Sequence, residues 1–322
     1  MGRIMACRVE ILDSDGRDLF EAADPEKISG QSPLWERDVQ SLRPWTRMHL
    51  PGIDQTGDAW VWASGQTDKP ISEGFEDTPG ILVCGRCAST MDAAWRFIKN
   101  GRIRVWDSLI AVEQTAGRGQ HQRQWVSPAG NIHASWCWPI PASKTDVAPN
   151  WKNLMSLVAG FIFAQVLRKF NVPVQIKWPN DLLIHDRKFG GILIEIRDDH
   201  ILVGCGINLA HAPEDRLLRD QFAVPATHLV REGFEFTPLA LWTTLVTEGK
   251  ALFKALVYNS EPAEFIKMID TRMAWVGKKI AIRGINDDIV EAVILGLSKD
   301  GGLRVKKGNA DQVIYSGSII PA

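Results

Sequence analysis

The chain has 322 residues, enough for one large domain beside a smaller one and for a sizeable core. Its 37 Lys and Arg against 38 Asp and Glu leave a net charge of −1, so the chain as a whole has no pull toward nucleic acid or an anionic membrane. With no apolar run of about 18 residues and no basic start leading into an apolar stretch, it argues against a membrane span or a secretory leader and predicts a cytoplasmic protein.

Taken in chain order, residues 1–78 are acidic and tryptophan-rich, with 8 basic and 15 acidic residues (8 − 15 = −7), which leaves 29 and 23 (+6) for the remainder. One strand is expected at Arg8–Leu12, running into a turn at Asp13-Ser-Asp-Gly16, and long helical periodicity is absent. Trp35, Trp45, Trp60 and Trp62 are too many large apolar side chains for a solvated tail, so this head should pack on something. Ile81–Cys84 reads as a buried strand. Ser89 or Thr90 can then cap a helix carrying Met91, Trp95 and Ile98 on one face and ending at Gly101. Leu109–Glu113 is a second strand. After the turn Ser127–Gly130, alternation of Ile132, Ala134, Trp136 and Trp138 gives a third. Asn150 can cap a long helix with the stripe Leu154, Leu157, Val158, Phe161 and Ile162. Val174–Trp178 is a strand. Gly191–Ile196 and Ile201–Ile207 form a hairpin through Asp198-Asp-His200. Helices follow over Pro238–Tyr258 and Pro262–Met273, each with proline in its first turn. Short strands at Lys279–Arg283, Val290–Leu295, Gly302–Val305 and Gln312–Tyr315, separated by Asn-Asp-Asp and Asp300-Gly301 turns, predict a small barrel.

The five cysteines, Cys7, Cys84, Cys87, Cys137 and Cys205, are odd in number and scattered, unlike a disulfide framework. Cys84-Gly-Arg-Cys87 has no second pair to complete a zinc site and reads as small residues of a buried strand.

Two segments carry chemistry. Gln114-Thr-Ala-Gly-Arg-Gly-Gln-His-Gln-Arg-Gln-Trp125 is a glycine-rich loop with two arginines that closes on a tryptophan. Its backbone N–H groups and guanidiniums suit phosphate oxygens, and the indole suits a purine face. Lys177-Trp-Pro-Asn-Asp181, followed by Arg187-Lys188-Phe-Gly-Gly191, brings cations, an amide and a carboxylate to a rigid turn. Activating a carboxylate with ATP develops charge on the α-phosphate and on departing pyrophosphate, and Arg118, Arg123, Lys177 and Lys188 can meet it.

At these residues the chain resembles the biotin protein ligases, from about Gly80 to the C-terminus. The resemblance implies an α/β (α+β) fold: a class II synthetase-like catalytic domain at 79–273 with a mixed sheet, and an SH3-like barrel at 274–322, after a head at 1–78 of unknown role. It implies ATP-dependent activation of biotin to biotinyl-5′-AMP, with Mg²⁺ on the phosphates, and transfer to a lysine of a biotin carboxyl carrier domain of acetyl-CoA carboxylase or a related carboxylase. Lys188 would lie between the acid's carboxylate and the α-phosphate, with Arg118 as the second catalytic cation. Ser89, Thr90, Gln114, Gly117, Arg118, Lys188 and Gly191 would bind biotin. Arg118, Gly119, Arg123, Trp125, Lys177, Asn180 and Asn208 would bind the nucleotide. The resemblance implies no protein-built metal cage; the ion would come with ATP, near Asn180 and Asp181, where Asp181 orients a loop cation. Some members dimerise through a sheet edge.

Departures accompany the match. The family's Gly-Arg-Gly-Arg-x-Gly-Arg becomes Gly117-Arg-Gly-Gln-His-Gln-Arg123, so Gln120 replaces an arginine and Gln122 a glycine, which predicts leakier retention of the adenylate. Met91 replaces a polar residue and bears on the identity of the acid. A lipoate or octanoate ligase and a catalytically weak interaction module stand as alternatives. A DNA-binding sensor is disfavoured, because an acidic head without a helix-turn-helix pattern repels phosphates.

Overall fold

The structure, a computed structural model, describes residues 7–13, 20–49, 58–63, 78–120, 123–141, 151–215, 224–284 and 288–322. Asn150, His121, Gln122 and most of the expected turns at 13–16 and 286–288 lie outside them. The chain divides into two compact units, one of residues up to 140 with 192–212 and 228–250, the other of 141–191, 213–227 and 251–322. The expected α/β (α+β) class, a large mixed sheet with helices, is the one observed, and a second, antiparallel sheet stands at the C-terminus.

In the first unit the head supplies β1 (Arg8–Leu12), α1 (Pro25–Ser29), α2 (Pro33–Ser41), β2 (Thr46–His49) and β3 (Asp58–Ala63). Both helices went unread in the sequence because they are too short to show a period. Their start signals were present, though: Asp24 accepts from the N–H of Lys27 and Ser32 from that of Trp35, each followed by a proline in the first turn. β4 (Gly80–Cys87), α3 (Thr90–Lys99), β5 (Ser108–Gln114), β6 (Ile132–Pro139), the later part of β9 (Arg187–Arg197) and β10 (His200–Ile207) complete the unit with the first half of α5 (Pro238–Asn259). The sheet runs β2-β3-β1-β4-β5-β6-β10, with β1, β4 and β5 parallel and the rest antiparallel. β1 thus lies directly against β4, and the head's strands extend the sheet across residue 78.

Central strands covered on both faces read as continuous apolar runs, and β4, β5 and β6 are buried along most of their length. On β6 the alternation is one of chemistry rather than exposure. The even row holds Trp136 and Trp138, packed edge to face at 5.1 Å, with Trp242 of α5 6.4 Å from Trp136 and donating its Nε1–H to Ser108. The odd row, His133, Ser135 and Cys137, shares its face with Leu109 and Ala111 of β5, which belong to the core under α3. Asp38 of α2 accepts from Thr237 and from the N–H groups of Leu239 and Ala240, capping α5 from outside its own segment.

The second unit holds α4 (Trp151–Arg168), β7 (Gln175–Lys177), β8 (Asp181–Ile184), the start of β9, the second half of α5, α6 (Pro262–Asp270) and β11 to β15. α4 is buried nearly all round rather than along the expected stripe; Met155, Ala159, Phe163, Ala164 and Val166 are covered too. α6 stops at Asp270, three residues short of the expected end. β11 (Lys279–Arg283), β12 (Ile289–Leu297), β13 (Leu303–Lys307), β14 (Ala310–Ile314) and the unforeseen β15 (Ser318–Pro321) form one antiparallel sheet in the order β14-β13-β12-β11-β15. Where a barrel was expected, the ladders among the described residues leave β14 and β15 as edges. No helix is long and apolar enough to cross a membrane among the described residues.

Candidate active site

In the first unit a set of neutral polar side chains converges at the start of α3. Thr90 donates its N–H and its hydroxyl to Oε1 of Gln114 at 2.7 and 3.0 Å, and Ser135 donates to Thr90 Oγ1 at 2.9 Å. The Gln114 amide nitrogen donates to Ser127 Oγ at 3.0 Å, and Ser127 in turn to the carbonyl of Trp125 at 3.2 Å. Every donor has one acceptor, so the orientation of the Gln114 amide is fixed by its neighbours. Ser89 occupies the N-cap position but makes no side-chain cap bond, so the capping expected of it is absent while its burial is retained.

The two ends of the glycine-rich loop pair with one another: Trp125 N–H to the Gly117 carbonyl at 2.8 Å, and Gly119 N–H to the Arg123 carbonyl at 2.7 Å. Those two N–H groups are spent inside the loop and are not open to phosphate in this form, contrary to the simplest reading of a phosphate cradle. A Cβ at Gly117 would meet Ser127 Oγ and the Trp125 carbonyl at 2.6 Å each, so glycine is required there by close approach. The Trp125 indole lies against β10, where a Cβ on Gly206 would fall 2.4 to 2.7 Å from three of its ring atoms. The neighbouring Gly204 makes the same room for Met91, whose sulfur would lie 2.8 Å from an added Cβ. Met91 is therefore packed as core. The Arg118 guanidinium reaches Asp92 at 2.7 Å and Glu195 at 3.6 Å, while Arg123 is exposed. Asn208, buried just past β10, accepts the N–H of Leu229 on its backbone carbonyl. Asn131 accepts three N–H groups, of Leu209, Ala210 and His211, and so shapes the segment after Asn208.

Sequence reasoning passed over Gly206, Ser135, Ser127, Asp92, Glu195 and His133. Ser135 and His133 could have been found as the small polar row of a strand whose other row is tryptophan. His133 is buried, bonds the Pro128 carbonyl through Nε2, and leaves Nδ1 without a partner among the described residues. Burial lowers its pKa from 6.5 to about 4, so it is neutral near pH 7. The unfolded chain takes up that proton near its ordinary value, and the stability His133 confers is full above pH 6.5 and lost as pH falls through about 4. Asp38 acts oppositely: burial, opposed by its hydrogen bonds, raises its carboxyl from 3.8 to about 6, a contribution present below pH 3.8 and lost as pH rises through about 6. His133→Asn is expected to remove about 3 kcal/mol of the acid-side loss between pH 7 and pH 4. Asp38→Asn is expected to steepen that loss. Urea unfolding at both pH values checks the pair, and the idea fails if the two variants change the pH dependence in the same direction.

In the second unit the Lys-Trp-Pro-Asn-Asp segment is the turn between β7 and β8, with a cis Trp178–Pro179 peptide. Trp178 is core, donating to the Gly301 carbonyl at 3.0 Å. β8 and β9 join through His185 and Asp186, both at positive φ as a tight two-residue hairpin needs. A bulge on β9 places Lys188 opposite Leu183 while Gly190 faces Leu182. The backbone of Lys188 is held by Pro225 and Thr227. The result is Asp181 clasped by two lysines, Lys177 on Oδ2 at 2.8 Å and Lys188 on Oδ1 at 2.6 Å. Burial alone would push the Asp181 carboxyl up, but the two ammoniums more than reverse it and hold it well below the usual carboxylate range. Asn180 is buried beside it and Gly191 faces Asp181 across the ladder.

All five cysteines are buried and none is in a disulfide. Burial pushes the thiols of Cys7 and Cys137 up to about 12, and the Cys84 thiol, hydrogen-bonded to Cys87, is raised as well, which suits packing rather than nucleophilic work.

Residues 84–208 match the biotin/lipoate A/B protein ligase family. The bifunctional ligase/repressor BirA of Escherichia coli (strain K12) is 40% identical over 214 residues, 64% of this chain and 64% of that protein. The biotin–[acetyl-CoA-carboxylase] ligase of Mycobacterium tuberculosis is 36% identical over 111 residues, covering 33% and 41%. The matches thus span less than two thirds of these relatives' own lengths. Among solved structures, the biotin protein ligase of Aquifex aeolicus in complex with biotin and ATP superposes with a TM-score of 0.61 at 24% identity, over 74% of this chain and 97% of that one, a likeness of fold.

Proposed function

From a chain whose residues 84–208 belong to the biotin/lipoate A/B protein ligase family, we infer an ATP-dependent biotin protein ligase. The acid's carboxylate attacks the α-phosphorus of ATP and pyrophosphate leaves. The amine of a carrier-domain lysine then attacks the carbonyl of the mixed anhydride, and AMP leaves. The observation that carries the reading is the neutral set of Thr90, Gln114, Ser127 and Ser135, with buried Ser89 next to it. A ureido ring, uncharged and with both donors and acceptors, suits such a set, whereas a plain acyl chain calls for an apolar tunnel. The Gly117 and Arg118 backbone completes the ring's surroundings, and Gly191 gives the acid close approach.

Lys188 carries the charge that develops between carboxylate and α-phosphate, with Arg118 as the second cation, and Lys177 and Arg123 face the departing pyrophosphate. Asp181 positions the two lysines without neutralising either in full. Magnesium arrives as part of the ATP substrate, because both oxygens of Asp181 are already engaged by lysines and Asn180 offers an amide only. Trp125 stacks on the adenine, with Asn208 at its edge. The acceptor is a biotin carboxyl carrier domain of a carboxylase, and the +6 balance outside the head suits an acidic partner.

The test is ATP–pyrophosphate exchange with biotin, lipoate and octanoate side by side. Exchange that depends on biotin supports the reading; exchange with lipoate or octanoate alone transfers the assignment to those acids, and none with any of them leaves an interaction module. Gly206→Ala, which pushes the Trp125 ring off β10, is expected to raise the KM for ATP five- to tenfold, the loss of about 1 kcal/mol of stacking, with the KM for biotin little changed. Initial-rate kinetics with each substrate varied in turn checks it.

A further inference from the structure

Arg118 is not held by its loop alone. Its Nη2 lies 2.7 Å from Asp92 Oδ1 in the first turn of α3 and 3.6 Å from Glu195 Oε1 on β9. The other oxygen of Glu195 accepts from the Trp95 indole at 2.8 Å and from Arg197 at 2.7 Å, and the Arg197 guanidinium sits 4.7 Å over the Trp95 ring. Trp95 is part of the core under α3. A path of charges therefore runs from the loop's first arginine to a buried tryptophan of the helix whose N-terminal residue, Thr90, grips Gln114 at the loop's base. We propose that Asp92 and Glu195 are positioning residues that tie the glycine-rich loop down through Arg118, and that this tether governs how long the acyl-adenylate stays bound.

The proposal rests on the adenylating reading of the site. Three physical points carry it. Ion pairs this exposed, with side-chain exposures of 39% and 53% for Arg118 and Asp92, contribute under about 1 kcal/mol to stability, so the tether is not needed for folding. Both contacts fall on Nη2, so the remaining N–H groups of the planar fork suit an anionic oxygen of the intermediate, and a guanidinium fixed on one edge loses less entropy when it takes a ligand on the other. Finally, Gln120 removes a cation from the loop, which leaves the placement of Arg118 with more of the retention to supply.

The experiment uses the full chain loaded with radiolabelled biotin and MgATP, freed of excess label by rapid gel filtration and chased with unlabelled biotin. Asp92→Asn is expected to release the labelled adenylate about tenfold faster than the wild type, with the single-turnover rate of its formation changed less than twofold and the melting temperature unchanged. Asp92→Glu should restore slow release, Glu195→Gln should speed release as Asp92→Asn does, and Asp92→Asn should add nothing in an Arg118→Ala background. Equal or slower release in Asp92→Asn from a wild type that does hold adenylate overturns the tether alone. A wild type that forms no adenylate with any of the three acids overturns the proposed function, and the tether with it.

Discussion

Lys188→Ala is expected to lower biotin-dependent pyrophosphate exchange by about 10²- to 10³-fold, the loss associated with one preorganised group at a developing negative charge. The fold should survive, because Asp181 keeps Lys177 at 2.8 Å and the Lys188 side chain is 29% exposed, so no buried carboxylate is left without a cation. Lys188→Arg should recover little. The site is built for a compact ammonium that meets one oxygen of Asp181, on a backbone fixed by Pro225 and Thr227, and a planar fork on a longer stem cannot take that place. Exchange in Lys188→Ala within fivefold of the wild type would remove Lys188 from the chemistry and leave its pair with Asp181 as structure.

What the sequence revealed of this site and what it hid divide along the range of the interactions. Thr90, Gln114, Gly117 and Trp125 belong to contiguous motifs with a recognisable composition, and the structure brings them into one hydrogen-bonded set. Asp92 and Glu195 were not legible, because a carboxylate on a helix turn or a strand end looks like ordinary solvated charge until the fold sets it 2.7 or 3.6 Å from an arginine. Gly206 was hidden for a similar reason: only the register of β10 against β6 and the fall of the Trp125 ring show why a side chain cannot be placed there. The bulge that aims Lys188 is a property of two strands, not of one. In the fold, long elements such as α5 and the β9–β10 hairpin were plain from periodicity, whereas α1 and α2 were too short to show a period and β2 and β3 were obscured by a composition rich in Gly, Pro, Asp and Trp. Trp178, a tryptophan inside a functional motif, anchors the turn from the core side.

The largest effect on stability is expected at Glu10, in the part of the chain with no assigned role. Glu10 lies on β1 with no solvent exposure, its carboxylate set against the guanidiniums of Arg8 and of Arg102, which follows α3. Arg102 is itself nearly buried, with 8% of its side chain exposed. Glu10→Ala leaves two cations in a site from which water is excluded, and the expected cost is about 3 to 5 kcal/mol, a large fraction of the roughly 5 to 15 kcal/mol that holds a domain together. Glu10→Gln should cost less, because the amide oxygen still accepts. Replacing Glu10, Arg8 and Arg102 together by leucine should come within about 1 to 2 kcal/mol of the wild type, since the charges need one another more than the fold needs charges. Urea unfolding followed by the tryptophan signal measures all three, and a Glu10→Ala loss under about 1 kcal/mol would sink the argument. Because β1 pairs in parallel with β4 over Arg8 to Ile11, deletion of residues 1–78 would strip a buried strand of its partner and orphan Arg102 at once. The expected result of that deletion is an insoluble chain rather than an active, unregulated one, because β1 and the carboxylate of Glu10 leave with it.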